Sequence, residues 1–117
     1  MEAIHAEKIF REEREAERLR WEKEQLIRQQ MEEKREELKQ FELLEQYAAN
    51  WDKADKIRRF ADSIELKLAE IESEDEKEKL VSWLKWAREK VDWLDPLVEK
   101  DDEVLGRSRY IFDFIIE

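Results

Sequence analysis

Residues 2–49 form an unbroken run without glycine or proline, in which strong helix formers such as Glu, Arg, Lys, Gln and Leu predominate. Pairs of opposite charge three or four residues apart, for example Glu24 with Arg28 and Glu36 with Lys39, support an exposed helix. Such a helix is about 70 Å long, whereas a small domain is roughly 30 Å across. The remainder of a 117-residue chain cannot cover it. The helix must therefore pair with another helix or stand alone in solvent.

The apolar residues of this helix favour pairing. They recur at intervals of three, four and seven residues, which is the spacing of a coiled-coil seam. From residue 27 onward the seam, through which we expect the chain to self-associate, consists of Ile27, Met31, Leu38, Phe41 and Leu44. Lys34 falls on the seam at a position where an apolar residue is expected. The seam is good from Met31 onward and thin upstream of it, and a charged single-chain spacer remains the alternative for residues 1–25.

A second apolar stripe follows in residues 51–72, where Ala54, Ile57 and Ala61 are among the residues that share one face of a helix. This face points nearly opposite to the seam, and only Asn50 suggests a break between the two. We therefore predict a continuous or kinked helix to about residue 72. The predicted organisation is a long charged, coiled-coil-like helix, residues 1–50, and a helical hairpin with a C-terminal apolar segment, residues 51–117.

Another helix is predicted over residues 74–95. Ser73 followed by Glu76 is a capping box, with acidic residues in the first turn. Asp95 and Pro96 end this helix and predict a short helix over residues 96–104, which Gly106 terminates. In the tail RSRYIFDFIIE, apolar residues occupy both the odd and the even positions, so both faces of a strand would be apolar. This pattern favours a short buried segment over a half-exposed strand.

The helix of residues 74–95 carries an apolar seam of its own, formed by Leu80, Leu84, Ala87, Val91 and Leu94. The 4-3-4-3 spacing matches the stripe on residues 54–71 and predicts an antiparallel αα-hairpin.

Three of the five tryptophans lie on this same helix. Trp83 is at the edge of its seam, whereas Trp86 and Trp93 lie about 120–140° from the seam's centre. One hairpin partner cannot cover so wide a surface. The candidates for covering it are the YIFDFII segment, residues 41–51 of the long helix, a second copy of the chain or a different protein. Aromatic stripes are most often core. With Trp51, these three residues form the predicted cap or partner surface.

The run WDKADKIRRFADSIE, followed by WLKWAREKVDWLDPL, resembles the C-terminal part of a set of uncharacterised bacterial proteins. In those proteins a charged helical stretch precedes two helices with spaced aromatic residues. The likeness covers about residues 48–97. It implies a helical tail that belongs to a longer protein, and it implies no activity and no functional residue.

The composition argues against several classes of partner. The net charge is −10, so broad electrostatic attraction to DNA, RNA or an anionic membrane is not expected. No apolar run approaches the roughly 18 residues of a membrane span, and MEAIHAEK does not resemble a signal peptide. The absence of cysteine fits a reducing compartment. We therefore expect a cytoplasmic protein.

The sequence offers little for catalysis. It contains no Gly-rich phosphate loop and no recognisable metal motif. His5, the sole histidine, forms one Glu-x-x-His unit with Glu2, whereas a di-iron bundle needs two such units and two further glutamates. We therefore expect no enzymatic activity, no cofactor and no metal site.

These observations predict an all-α protein, in which a long charged coiled-coil-like helix precedes a Trp-rich antiparallel αα-hairpin and a short C-terminal helix. The expected function is structural: homodimerisation through the long helix, with the hairpin as a cap or as a docking surface for another protein. The alternative is binding of a single-stranded nucleic acid or another anionic partner, because Lys85, Arg88 and Lys90 interleave with the tryptophans.

Overall fold

The computed structural model describes the backbone of residues 2–115 and the side chains of residues 6–115. It contains helix α1 (Glu2–Lys67), a 3₁₀ turn (Leu68–Glu70), helix α2 (Glu74–Leu94) and the short helix α3 (Phe112–Ile115). There is no strand within residues 2–115, so the predicted all-α class and the long helix are confirmed. The chain divides into two compact units, Met1–Glu42 and Leu43–Glu117, with the boundary inside α1.

Helix α1 continues without a break through Asn50, as predicted, because no glycine or proline interrupts its 66 residues. It ends at Lys67, somewhat before the predicted residue 72. The 3₁₀ turn follows, and Ile71 then adopts an extended conformation while its N–H donates to the carbonyl of Leu68 at 3.2 Å. The tightened turn satisfies a carbonyl that the helix end would otherwise leave free.

Helix α2 begins at the predicted place. The Ser73 hydroxyl accepts a hydrogen bond from the Glu76 backbone N–H at 3.4 Å, which is the N-cap interaction that the capping box predicts. Three acidic residues occupy the first turn, where they interact favourably with the helix dipole. The helix ends one residue before the predicted position, and Asp95 serves as its C-cap.

Within the second unit, the last part of α1 packs against α2. The buried apolar residues are Ala54, Ala61, Leu84, Ala87 and Val91. Those of α1 are both alanines, which have no side chain beyond Cβ and so allow the helices to approach closely.

Two arginines fix the register of this packing. Arg58 of α1 donates to Asp92 at 2.9 Å and also to Asp95, close to the end of α2. Burial disfavours the charge of Arg58, but its hydrogen bonds to these two carboxylates raise its pKa above the ordinary arginine value.

Arg88 forms the second set of contacts, with Asp62 at 3.0 Å and Glu65 at 2.7 Å. Residues further along α1 thus meet residues earlier in α2. The helices are therefore antiparallel in this unit.

The predicted helix over residues 96–104 is wrong. The Asp95 carboxylate accepts the N–H of Leu97 at 2.9 Å, and the Asp95 carbonyl accepts the N–H of Val98 at 3.1 Å, so Pro96 lies in a tight turn. Side-chain acceptors thereby capture the backbone donors that a helix would need.

The prediction of a buried tail is correct for only part of it. The N–H of Ile111 donates to the carbonyl of Pro96 at 2.7 Å, and Ser108 is buried. By contrast, Phe112, Phe114 and Ile115 of the four-residue helix α3 are exposed. Ile116 and Glu117, which belong to the same predicted segment, lie outside the described residues.

Candidate functional site

The part of the predicted seam that belongs to the first unit lies open on α1. Ile27, Met31, Leu38 and Phe41 fall within about 80° of one another around the helix axis. Their exposed fractions range from 46% to 60%, although all four are large and apolar. The described residues of this unit form a single helix, so the unit itself provides no second element to cover the stripe.

Lys34 interrupts this stripe on the same side of the helix, and it is exposed. The nearest intrahelical ion pair involves other residues, Lys39 with Glu36 at 3.4 Å. A lysine at a seam position weakens a helix pair but restricts its register and oligomeric state.

The remaining predicted seam and cap residues of α1 lie in the second unit. Leu44 and Trp51 are both exposed, with more than half of each side chain in solvent. Trp51 is not among the residues that line the groove around the other three predicted tryptophans. The structure therefore does not bring all four predicted cap residues together.

Trp83, Trp86 and Trp93 do share one groove in the second unit. Its volume is about 310 Å³, and Ile57 of α1 and Leu105 of the following loop contribute to its walls. The rings of Trp83 and Trp86 are tilted against each other, with centroids 6.2 Å apart. This is an ordinary geometry for an aromatic pair. Both side chains remain exposed.

Trp93 is held more firmly than the other two tryptophans. Its indole N–H donates to the carbonyls of Gly106 at 3.2 Å and Arg107 at 3.1 Å. The guanidinium of Arg109 lies 4.7 Å from the ring centroid, in a cation–π contact. The polar contacts of Trp93 thus come from residues 106–109, which were not among the segments predicted to cover it.

Asp102 organises the loop of residues 102–106. Two backbone hydrogen bonds between Asp102 and Gly106 close this loop. One Asp102 carboxylate oxygen accepts the N–H groups of Val104 and Leu105, and the other binds Lys90 of α2. Gly106 has a φ of 97°, a conformation that residues with a Cβ rarely adopt. The loop is therefore pinned to α2 by both Lys90 and Trp93.

Asp102 should titrate at an unusually low pH. The hydrogen bond from Lys90, followed by those from the Leu105 and Val104 backbone, lowers its pKa to about 2. Because this pKa is below the ordinary value of about 3.9, the carboxylate stabilises the loop fully above about pH 4. That contribution is lost as the pH falls through about 2. We expect the ¹³C carboxyl resonance of Asp102 to titrate with a midpoint near pH 2.

The Trp93 indole N–H resonance should shift over the same acidic range. Asp102→Asn is the control, since its amide oxygen can still accept the two backbone N–H groups while the charge opposite Lys90 is lost. In this variant the acid-dependent shift of Trp93 should be absent. A midpoint near pH 4 in the unsubstituted protein would contradict the prediction.

No protein-family model, curated protein or solved structure matches this chain. Two surfaces therefore carry the functional inference: the seam on α1 and the tryptophan groove. Among residues 6–115, no three His, Cys, Asp or Glu side chains are arranged to hold a metal ion. The side chains of Glu2 and His5 lie outside the described residues. Within residues 2–115, no helix combines the length and the apolar character needed to cross a bilayer.

Sequence reasoning missed the residues that fix the second unit. Arg58 and Arg88 were not predicted as register contacts, and Asp102 was assigned to a helix. A signal for the arginines was present: Asp62 with Glu65, and Asp92 with Asp95, are acidic pairs with a three-residue spacing. Once the helices are aligned antiparallel, each pair faces one arginine.

Proposed function

We propose that this protein is a non-enzymatic structural module that homodimerises through α1. The exposed stripe of Ile27, Met31, Leu38 and Phe41 supports this proposal, because a long helix gains little by holding four large apolar side chains in water. Their heptad-like spacing fits a second helix better than a globular partner. Leu44 extends the same proposed interface.

The energetics favour a dimer of moderate strength. Completing the burial of one half-exposed side chain of this size contributes roughly 1 kcal/mol. The four stripe residues, or five with Leu44, therefore contribute roughly 8–10 kcal/mol when both chains are counted. Association costs an estimated 4–15 kcal/mol in lost freedom of motion. Because gain and cost are similar in size, the dimer population should depend on protein concentration.

In this proposal, α2 and the end of α1 form a Trp-rich hairpin that caps the module. The groove of Trp83, Trp86 and Trp93 gives the cap an apolar surface, which is suited to another protein or to the rest of a longer chain. The absence of cysteine and the bacterial resemblance of residues 48–97 lead us to place the module in a bacterial cytoplasm.

Binding of a single-stranded nucleic acid is the weaker proposal. Of the basic residues near the tryptophans, Lys90 binds Asp102 at 2.5 Å, and Arg88 binds two acidic residues of α1. Lysines and arginines that are already paired have little charge left for a phosphate backbone. Lys85 of α2 and Arg109, which lies over the Trp93 ring, have no ion pair within the described residues, but two cations do not form the continuous basic track that a single strand needs.

The proposal is tested by measuring absolute mass, using light scattering after size exclusion over a hundredfold range of protein concentration. We expect a value that rises from the 14.5 kDa of one chain towards twice that mass. The midpoint of this rise gives the dissociation constant. A single-chain mass at every concentration would refute homodimerisation, and α1 would then be a spacer or the binding surface for a different protein.

A further inference from the structure

Asn50 is an unusual residue for its position in α1. It is 7% exposed, and it is one of only three buried polar or charged residues among those described. Within residues 6–115 its carboxamide makes no hydrogen bond to another protein group. No buried side-chain nitrogen or oxygen among residues 6–115 lacks a hydrogen-bond partner, so the carboxamide of Asn50 still reaches solvent although most of the residue is buried. Asparagine is also a poor helix former, and an accessible carboxamide on an otherwise buried residue is a candidate for a ligand contact.

Asn50 lines a pocket of about 450 Å³ within the second unit. Its apolar wall includes Leu43 and Tyr47 of α1 and Phe114 of α3. The Tyr47 and Phe114 rings lie with centroids 6.1 Å apart, so the two helices meet at this wall. The size suits a small organic molecule. The pocket is separate from the tryptophan groove, since the two share no lining residue.

Two arginines make the same pocket cationic in a chain of net charge −10. Arg109 forms no ion pair within residues 6–115, and its guanidinium rests on the Trp93 ring at 4.7 Å. Arg107 reaches only Asp113, at 4.0 Å, which is the outer limit of an ion pair. Both guanidinium groups therefore keep donors for an incoming anion.

We infer that this pocket binds a small amphipathic carboxylate. The carboxylate pairs with Arg109 and Arg107, while its apolar body lies against Leu43, Tyr47 and Phe114. The carboxamide N–H of Asn50, which reaches solvent in the free protein, donates a further hydrogen bond to the ligand. Each part of the pocket thus matches one part of the ligand. The inference does not rest on homodimerisation, because all lining residues belong to one chain.

The test is a titration of the 117-residue protein with 2-naphthoate, followed by ¹H–¹⁵N NMR. We expect the Asn50 carboxamide and the Trp93 indole resonances to shift together and to saturate. The neutral isostere 2-naphthamide should bind about tenfold more weakly, because it forms no charge-assisted hydrogen bond with the arginines. Equal binding of both compounds, or shifts confined to the Trp83 and Trp86 indoles, would overturn the inference.

Substitutions provide the second arm of the test. Arg109→Gln removes the charge of an exposed side chain and should weaken naphthoate binding about tenfold. Asn50→Asp keeps the shape of the side chain but repels a carboxylate, so binding should be lost. Arg59→Gln, an equal charge change at an exposed residue outside the pocket, is the matched control. If Arg109→Gln and Arg59→Gln bind naphthoate equally well, the arginine site is refuted even if Asn50→Asp fails to fold.

Discussion

Replacing Leu38 by aspartate is expected to weaken dimerisation at least a hundredfold. Leu38 lies in the middle of the exposed stripe, so its copies from two chains would be buried in the proposed interface. The substitution removes roughly 1 kcal/mol of apolar burial per chain and also places a carboxylate in the interface, so the loss should exceed about 3 kcal/mol per dimer. A loss of that size is more than a hundredfold in the dissociation constant. Sedimentation equilibrium over a range of concentrations measures it.

Gln40→Asp is the matched control, because it introduces the same charge about 160° away on the same helix. It should leave the dissociation constant nearly unchanged. Lys34→Leu, which completes the seam, should strengthen the dimer at least about tenfold. If Leu38→Asp and Gln40→Asp associate equally, the predicted seam is not the interface. Circular dichroism should show similar helix content in all three variants, so that differences in mass report association.

Replacing Asp95 by alanine is expected to destabilise the second unit by about 2–3 kcal/mol. The Asp95 side chain is 5% exposed and binds Arg58, which is itself 34% exposed. Breaking a buried ion pair costs about 3–5 kcal/mol, but Arg58 keeps Asp92 and some solvent, which reduces the loss. The variant also loses the acceptor for the Leu97 N–H. Urea unfolding followed by tryptophan fluorescence, at one fixed protein concentration, measures the change.

Asp92→Ala is the comparison, because Asp92 binds the same arginine but is 44% exposed. Its loss should be no more than about 1 kcal/mol. Asp95→Asn should fall between the two, since its amide oxygen can still accept the N–H of Leu97. Equal and small losses of unfolding free energy for Asp95→Ala and Asp92→Ala would show that the ion pairs of Arg58 contribute little to the stability of the second unit.

Helix positions in this chain could be predicted because they depend on local chemistry. The absence of glycine and proline before Pro96 allows α1 to continue past Asn50, and Ser73 with Glu76 marks the start of α2. These signals act over a few residues and need no tertiary partner. The exposed seam positions also follow from helical periodicity, whereas their pairing in solution stays a prediction.

The segment after Leu94 could not be predicted in the same way. Asp95 and Pro96 form a good helix start when they are considered alone, yet Asp102 captures two backbone N–H groups and binds Lys90. That choice depends on where α2 places its lysine, which is tertiary information. The Asn50 pocket was missed for a related reason, because its arginines come from a segment more than fifty residues away.

The anchoring of the Asp102 loop also bears on how quickly the second unit forms. Lys90 and Trp93 form hydrogen bonds with residues only 12 to 14 positions further along the chain, and the ion pairs between Arg58 or Arg88 and the facing helix join residues 23 to 37 apart. Short separations of this kind keep the entropy of loop closure small and are characteristic of rapidly folding helical proteins. During synthesis, the contacts between α1 and α2 can form as soon as α2 has left the ribosome. The loop then needs only about a dozen further residues to close on Lys90 and Trp93.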